Sequence, residues 1–75
     1  MKQFEVGKAY TTLDNLGIKY KVLSRTAATV TLEDMNGNIK RCRIISKASA
    51  FRNAESVYPM GNYSMAPILS ADNEF

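Results

Sequence analysis

The sequence predicts a mostly-β domain: a small SH3-like barrel or a strongly bent antiparallel sheet of five to six short strands, with room for one short helical turn. Three observations predict it. Several short stretches alternate apolar and polar residues with the period of two that a half-buried strand requires. Turn-forming residues, among them Gly7, Gly17, Asn36-Gly37, Pro59 and Gly61, separate these stretches at short intervals. The chain has only 75 residues, and a domain of that size buries roughly 60% of the surface its unfolded form exposes. Bending the sheet toward closure is the most direct way to protect its edges.

Taken in order, Phe4-Glu5-Val6 alternates until Gly7-Lys8 breaks the pattern, and Ala9-Tyr10-Thr11-Thr12 resumes it as a short strand. Residues 13–17 carry Asp, Asn and Gly and read as a loop. Ile18-Lys19-Tyr20-Lys21-Val22 alternates strictly, Ser24-Arg25-Thr26 reads as a tight turn, and residues 28–33 alternate again with β-branched residues. Asp34-Met35-Asn36-Gly37 is the strongest local signal. It fits a type I turn ending in a left-handed glycine, with a two-residue Asn36-Gly37 turn as competitor. The first register sets Val30 opposite Cys42 and Ala28 opposite Ile44. The second sets Val30 opposite Arg43 and Leu32 opposite Arg41, which mixes charge into the core face. The first is therefore expected.

Residues 46–55 fit either a short helical turn, with Ala48, Phe51 and Ala54 near one face, or a strand that bends back on itself. Val57-Tyr58 reads as extended because the residue before Pro59 is pushed away from helix. Pro59-Met60-Gly61-Asn62 reads as a turn, and Pro67-Ile68-Leu69 as a last edge strand. Residues 1–71 are expected to form a single domain, with residues 72–75 a frayed tail.

An apolar fraction of 45% with 23% charged residues argues against disorder of the whole chain. A single cysteine, Cys42, excludes an intramolecular disulfide, and no secretory h-region or membrane-spanning run is visible. A cytoplasmic location is the expectation. There is no histidine, which removes the usual general base and the commonest metal ligand. No carboxylate pair sits at a working spacing, and the glycines are too scattered to cradle phosphate. The expectation is a binding module and not an enzyme, with no cofactor, no metal and no evident small-molecule substrate. Cys42, mid-strand on the predicted core face, reads as a buried, inert thiol.

The net charge is +3, unevenly spread. Lys19, Lys21, Arg25, Lys40, Arg41, Arg43 and Lys47 crowd residues 18–47 against only Glu33 and Asp34. If Tyr20 and Val22 point inward beside Val30 and Ala28, the outer face carries two rows, Lys21–Thr29–Arg43 and Lys19–Thr31–Arg41. Cations flanking hydroxyls suit nucleic-acid phosphates, which gives a first reading: weak, backbone-directed nucleic-acid binding. The bland alternative is a solvated sheet face. A second reading is a protein-binding module, an inhibitor or adaptor, working through Met60, Tyr63 and Met65 in the residue 60–68 segment. Its bland counterpart is that these side chains plug one end of the barrel. A third is an accessory protein that pairs with a neighbour through an Ile68-Leu69 edge.

Three stretches also carry a resemblance. They are residues 4–12, residues 25–33 running into Lys40-Arg41-Cys42, and residues 59–69 with their distinctive Tyr63-Ser64-Met65-Ala66-Pro67. Together they resemble a group of short uncharacterised bacterial proteins often carried on phage-like or conjugative mobile elements. The resemblance covers about half of the chain. It implies a mobile-element accessory protein and carries over no functional residue.

Overall fold

The structure, a computed structural model, describes residues 1–13, 17–61 and 66–75. Six strands and one short helix occur in the order β1 (Ala9–Thr12), β2 (Lys19–Arg25), β3 (Thr29–Glu33), β4 (Ile39–Arg43), α1 (Ser46–Arg52), β5 (Ser56–Val57) and β6 (Leu69–Glu74). The strands form one antiparallel sheet in the order β4-β3-β2-β1-β6-β5, curled into a half-barrel. The mostly-β, strongly bent sheet expected from the sequence is what forms. Alternation puts Tyr10, Tyr20, Val22, Val30, Leu32, Val57 and Leu69 on the inner face, where they are buried with Phe4.

The β3–β4 hairpin has the expected register. Val30 stands opposite Cys42 and Thr31 opposite Arg41, and the Ile44 N–H donates to the Ala28 carbonyl. Asp34 organises the turn, because one of its carboxylate oxygens accepts the N–H groups of Asn36 and Asn38 at 2.8 and 2.9 Å. Gly37 then closes the loop at φ +85°. A β-branched side chain is strained in that left-handed region. Gly37→Val is expected to cost roughly 1 kcal/mol or more, read as a lower urea midpoint at unchanged slope.

The β2–β3 hairpin departs from expectation. Ser24 and Arg25 belong to β2, and the turn lies at Ala27-Ala28. It is held by Thr26, whose N–H donates to the Thr29 carbonyl at 2.9 Å and whose hydroxyl accepts the N–H groups of Ala28 and Thr29. Leu23 is an extra residue in β2, since Val22 pairs with Leu32 while Ser24 pairs with Thr31. Such a bulge reverses the facing of the strand residues beyond it. Arg25 therefore sits opposite the buried Val30 and turns inward.

That inward turn joins three distant segments. Arg25 Nη2 lies 2.8 Å from Glu55 Oε2, and its Nη1 bonds both Glu55 Oε1 and, at 2.8 Å, the Phe4 carbonyl. Glu55 Oε1 also accepts the Phe4 N–H at 2.8 Å. Burial disfavours the Glu55 carboxylate most, but the hydrogen bonds from Arg25 and Phe4 outweigh it and hold the group below its ordinary range.

α1 has no side-chain N-cap bond and no acidic residue in its first turn, so seven residues of helix stand on tertiary support. Ser49 gives it. Its hydroxyl donates to the Ile45 carbonyl at 2.7 Å and accepts the Ser56 N–H at 2.9 Å. Phe51, expected on the inner face of this helix, is 89% exposed. The sequence spacing points to Phe51, but the inward position is one that a small hydroxyl can satisfy.

Both ends differ from expectation. Phe4 is buried but in no strand, and the Lys2–Ala54 bridge beside it is parallel. The tail is not frayed: β6 runs to Glu74, and the Phe75 N–H donates to the Ala9 carbonyl at 2.9 Å. Asn73 fills the irregular join between β1 and β6, donating to the Thr11 carbonyl and hydroxyl. Leu69 lies in a strand flanked by β1 and β5, so it offers no free edge to a neighbouring molecule.

Candidate functional site

The strand registers place the expected basic residues on one outer face but not in one patch. Thr29 faces Arg43 and Thr31 faces Arg41, as read from the sequence. Lys21 faces Glu33 and Ala9, and Lys19 faces Thr11. The rows Lys21–Thr29–Arg43 and Lys19–Thr31–Arg41 therefore do not exist. The partner of Lys21 on β3 is Glu33 and not Thr29, four residues along the strand. That is about 13 Å, beyond the roughly 8 Å over which exposed charges act together at physiological salt. The shift arises from the later turn and the Leu23 bulge. Lys19 has a different neighbour, its ammonium lying 4.3 Å from the centre of the Phe75 ring.

What remains together is the basic run of β4. Arg41 and Arg43 project outward and are exposed, while Lys40 and Cys42 lie half-buried on the inner side. Cys42 packs at the margin of the core, where burial pushes its thiol upward and Lys40 partly opposes the shift. It is half-buried, not fully buried as expected. Among the described residues the ion pairs are Lys8 with Glu5 and Glu74, Arg25 with Glu55, and Arg52 with Asp72. None involves β4.

β4 is also an edge strand. In an antiparallel pair, alternate residues direct their backbone groups toward the partner strand. The Asp34–Asn38 and Ala28–Ile44 bonds show that even-numbered residues of β4 face β3. Ile39, Arg41 and Arg43 therefore direct their N–H and C=O groups to the open side. The half-barrel begins to close here, because the next odd residue, Ile45, donates to the Ser56 carbonyl of β5 at 2.9 Å. Closure then stops. Residues 58–61 form a turn, with the Gly61 N–H bonded to the Tyr58 carbonyl and Gly61 at φ +96°. A groove of about 420 Å³ remains between Lys40, Arg41 and Arg43 on one side and Tyr58, Pro59 and Gly61 on the other.

Met60 is exposed beside this turn, 46% of its surface open, while Tyr63 and Met65 lie outside the described residues. Sequence reasoning keeps the basic strand and the residue 60–68 segment as separate candidates, and the fold sets the start of the second against the first. It passes over Tyr58 and Pro59 as groove walls, and no local signal marks the seam between β4 and β5.

A larger hollow of about 860 Å³, lined by Leu13, Ile45, Ala48, Phe51, Tyr58 and Ile68, flanks α1. Among the described residues no group of three His, Cys, Asp or Glu could hold a metal ion, and no helix is long and apolar enough to cross a membrane. No known protein family, curated protein or solved structure matches the chain.

Proposed function

We propose that this domain is a non-enzymatic interaction module that holds an acidic partner protein against its cationic β4. The observation that carries this reading is that Lys40, Arg41 and Arg43 stand together on one strand without an ion pair among the described residues; Lys2, Lys19, Lys21 and Lys47 also lack one, but no three of them share a strand. A protein partner is favoured over nucleic acid because the surroundings are mixed. Exposed Met35 and Ile39 lie at one end of the strand and Tyr58 and Pro59 across the groove, and such amphipathic surroundings suit a protein contact. Nucleic-acid backbone is the second reading, favoured by the Thr29–Arg43 and Thr31–Arg41 pairs. The resemblance to mobile-element proteins supports an accessory role on a bacterial element of that kind, and the one unpaired cysteine supports a reducing cytoplasm.

The test is a salt titration of binding to poly-glutamate and to single- and double-stranded oligonucleotides. Poly-glutamate is expected to bind, and Arg41→Ser/Arg43→Ser to weaken it about tenfold, the equivalent of roughly 1.4 kcal/mol from two exposed charges. Lys19→Ser/Lys21→Ser is expected to change it less than about threefold. If oligonucleotides bind better than poly-glutamate with a salt slope near −2, the second reading takes its place. No binding of either polymer at 50 mM salt would remove both.

A further inference from the structure

We infer that the open seam beside β4 is a strand-addition site, which takes an extended acidic segment of a partner protein as a new antiparallel strand. This rests on the reading of β4 as the acidic-partner surface and names how the partner binds. Charge alone would suit any polyanion. The backbone is what selects a polypeptide. Arg41 and Arg43 each present an N–H and a C=O to the groove, and Ile39 does so on the same side of the strand, so donors and acceptors alternate along the edge. A phosphate chain has only acceptors and leaves those carbonyls unpaired. An extended peptide satisfies both kinds of group.

The geometry also fixes direction and pattern. Every strand pair in the sheet is antiparallel, so β5 runs opposite to β4 across the seam. An added strand that continues the direction of β5 is antiparallel to β4. The Ile45–Ser56 bond marks where such pairing already starts. Partner residues opposite Arg41 and Arg43 are two apart and share the outer face with both guanidiniums. They are acidic. The residue between them faces inward toward Cys42 and Tyr58 and is apolar. The recognised pattern is acid, apolar, acid in extended conformation.

A second copy of this chain is a poor occupant. Its β4 carries the same cations, which repel at an edge-to-edge approach. Its own acid-x-acid segment, Asp72-Asn73-Glu74, already lies in β6, with Asp72 held by Arg52 and Glu74 by Lys8.

The experiment uses the full chain, isotope-labelled, with the capped peptide Thr-Glu-Val-Glu-Thr. Three controls are its Lys-for-Glu counterpart, the same peptide N-methylated at the two Glu residues, and an oligothymidylate. At free peptide near ten times its Kd, the Arg41 and Arg43 amides are expected to exchange about tenfold more slowly, with no such change at Lys40 or Cys42. The N-methylated and Lys peptides are expected not to bind. Arg41→Ser/Arg43→Ser is expected to weaken the Glu peptide while leaving the unfolding midpoint unchanged. If the N-methylated peptide binds as well as the parent, or the Arg41 and Arg43 amides stay unprotected in the bound state, strand addition is overturned while the acidic-partner reading stands. If only the oligothymidylate binds, both are overturned in favour of phosphate recognition.

Discussion

Glu55→Ala is expected to cost about 3 kcal/mol of folding stability. The carboxylate is nearly buried and serves two partners, the Arg25 guanidinium and the Phe4 N–H. Removing it leaves a half-buried cation without its counter-ion and a buried donor without its acceptor, and each omission is costly by itself. A domain of this length has roughly 4–11 kcal/mol to lose, so the variant should be the most damaging single change among the polar residues. The measurement is the urea midpoint at unchanged slope. A loss below about 1 kcal/mol would mean that water replaces the carboxylate freely and that the pair is effectively a surface one.

The same group contributes to the acid limit of the fold. Its folded pKa lies below its ordinary value of 4.5. The stability it contributes is therefore present above that value and is lost as the pH falls through 4.5 toward the folded pKa. Glu55→Gln should flatten the acid side of the stability curve. A residual slope should remain, because Asp34 and Asp72 are shifted in the same direction, Asp34 chiefly by the Asn38 N–H and Asp72 chiefly by the Ser70 hydroxyl.

Local chemistry explains which parts of the fold can be read from the sequence. The β3–β4 register is legible because Asp34 and Gly37 have side-chain and backbone requirements that few other residues meet, and because only one register keeps arginine off the core face. The β2–β3 hairpin is not. Its turn residues are Ala27 and Ala28, which carry no turn signal, and the device that makes the turn is the hydroxyl of Thr26. The bulge at Leu23 has no sequence mark at all. Its consequence spreads to the candidate site: alternation assigns all four cations to the outer face, yet gives two of them the wrong neighbours. Arg25 escapes notice for the same reason, since a residue assigned to a tight turn is expected to point at solvent. Its partner Glu55 is 30 residues away, a separation no local pattern spans. The seam beside β4 depends on how residues 58–61 stand against that strand, which is likewise a tertiary fact.

Phe4→Ala is expected to cost about 3–5 kcal/mol, the range for deleting a buried ring. Phe4 is 1% exposed and packs edge-on against Tyr10, with ring centres 5.0 Å apart and planes at 88°. That contact adds about 0.5–1.5 kcal/mol beyond the area buried. Tyr10 is itself tied to the same segment, its hydroxyl accepting the Glu5 N–H at 2.9 Å. The backbone of Phe4 meanwhile bonds Glu55 and Arg25 on both sides. Losing the ring should therefore loosen the segment that presents those backbone groups, and the two losses should not add. In a cycle of Phe4→Ala, Glu55→Ala and the double variant, the double is expected to fall short of the sum by at least about 0.5 kcal/mol. If the two effects add within error, the N-terminal segment docks through its ring alone, and the Arg25–Glu55 pair stabilises only the junction of β2 and β5. Phe4→Leu gives the cycle a folded reference should Phe4→Ala fail to fold. It keeps most of the buried volume while removing the edge-on contact, so its own loss should stay near 1 kcal/mol.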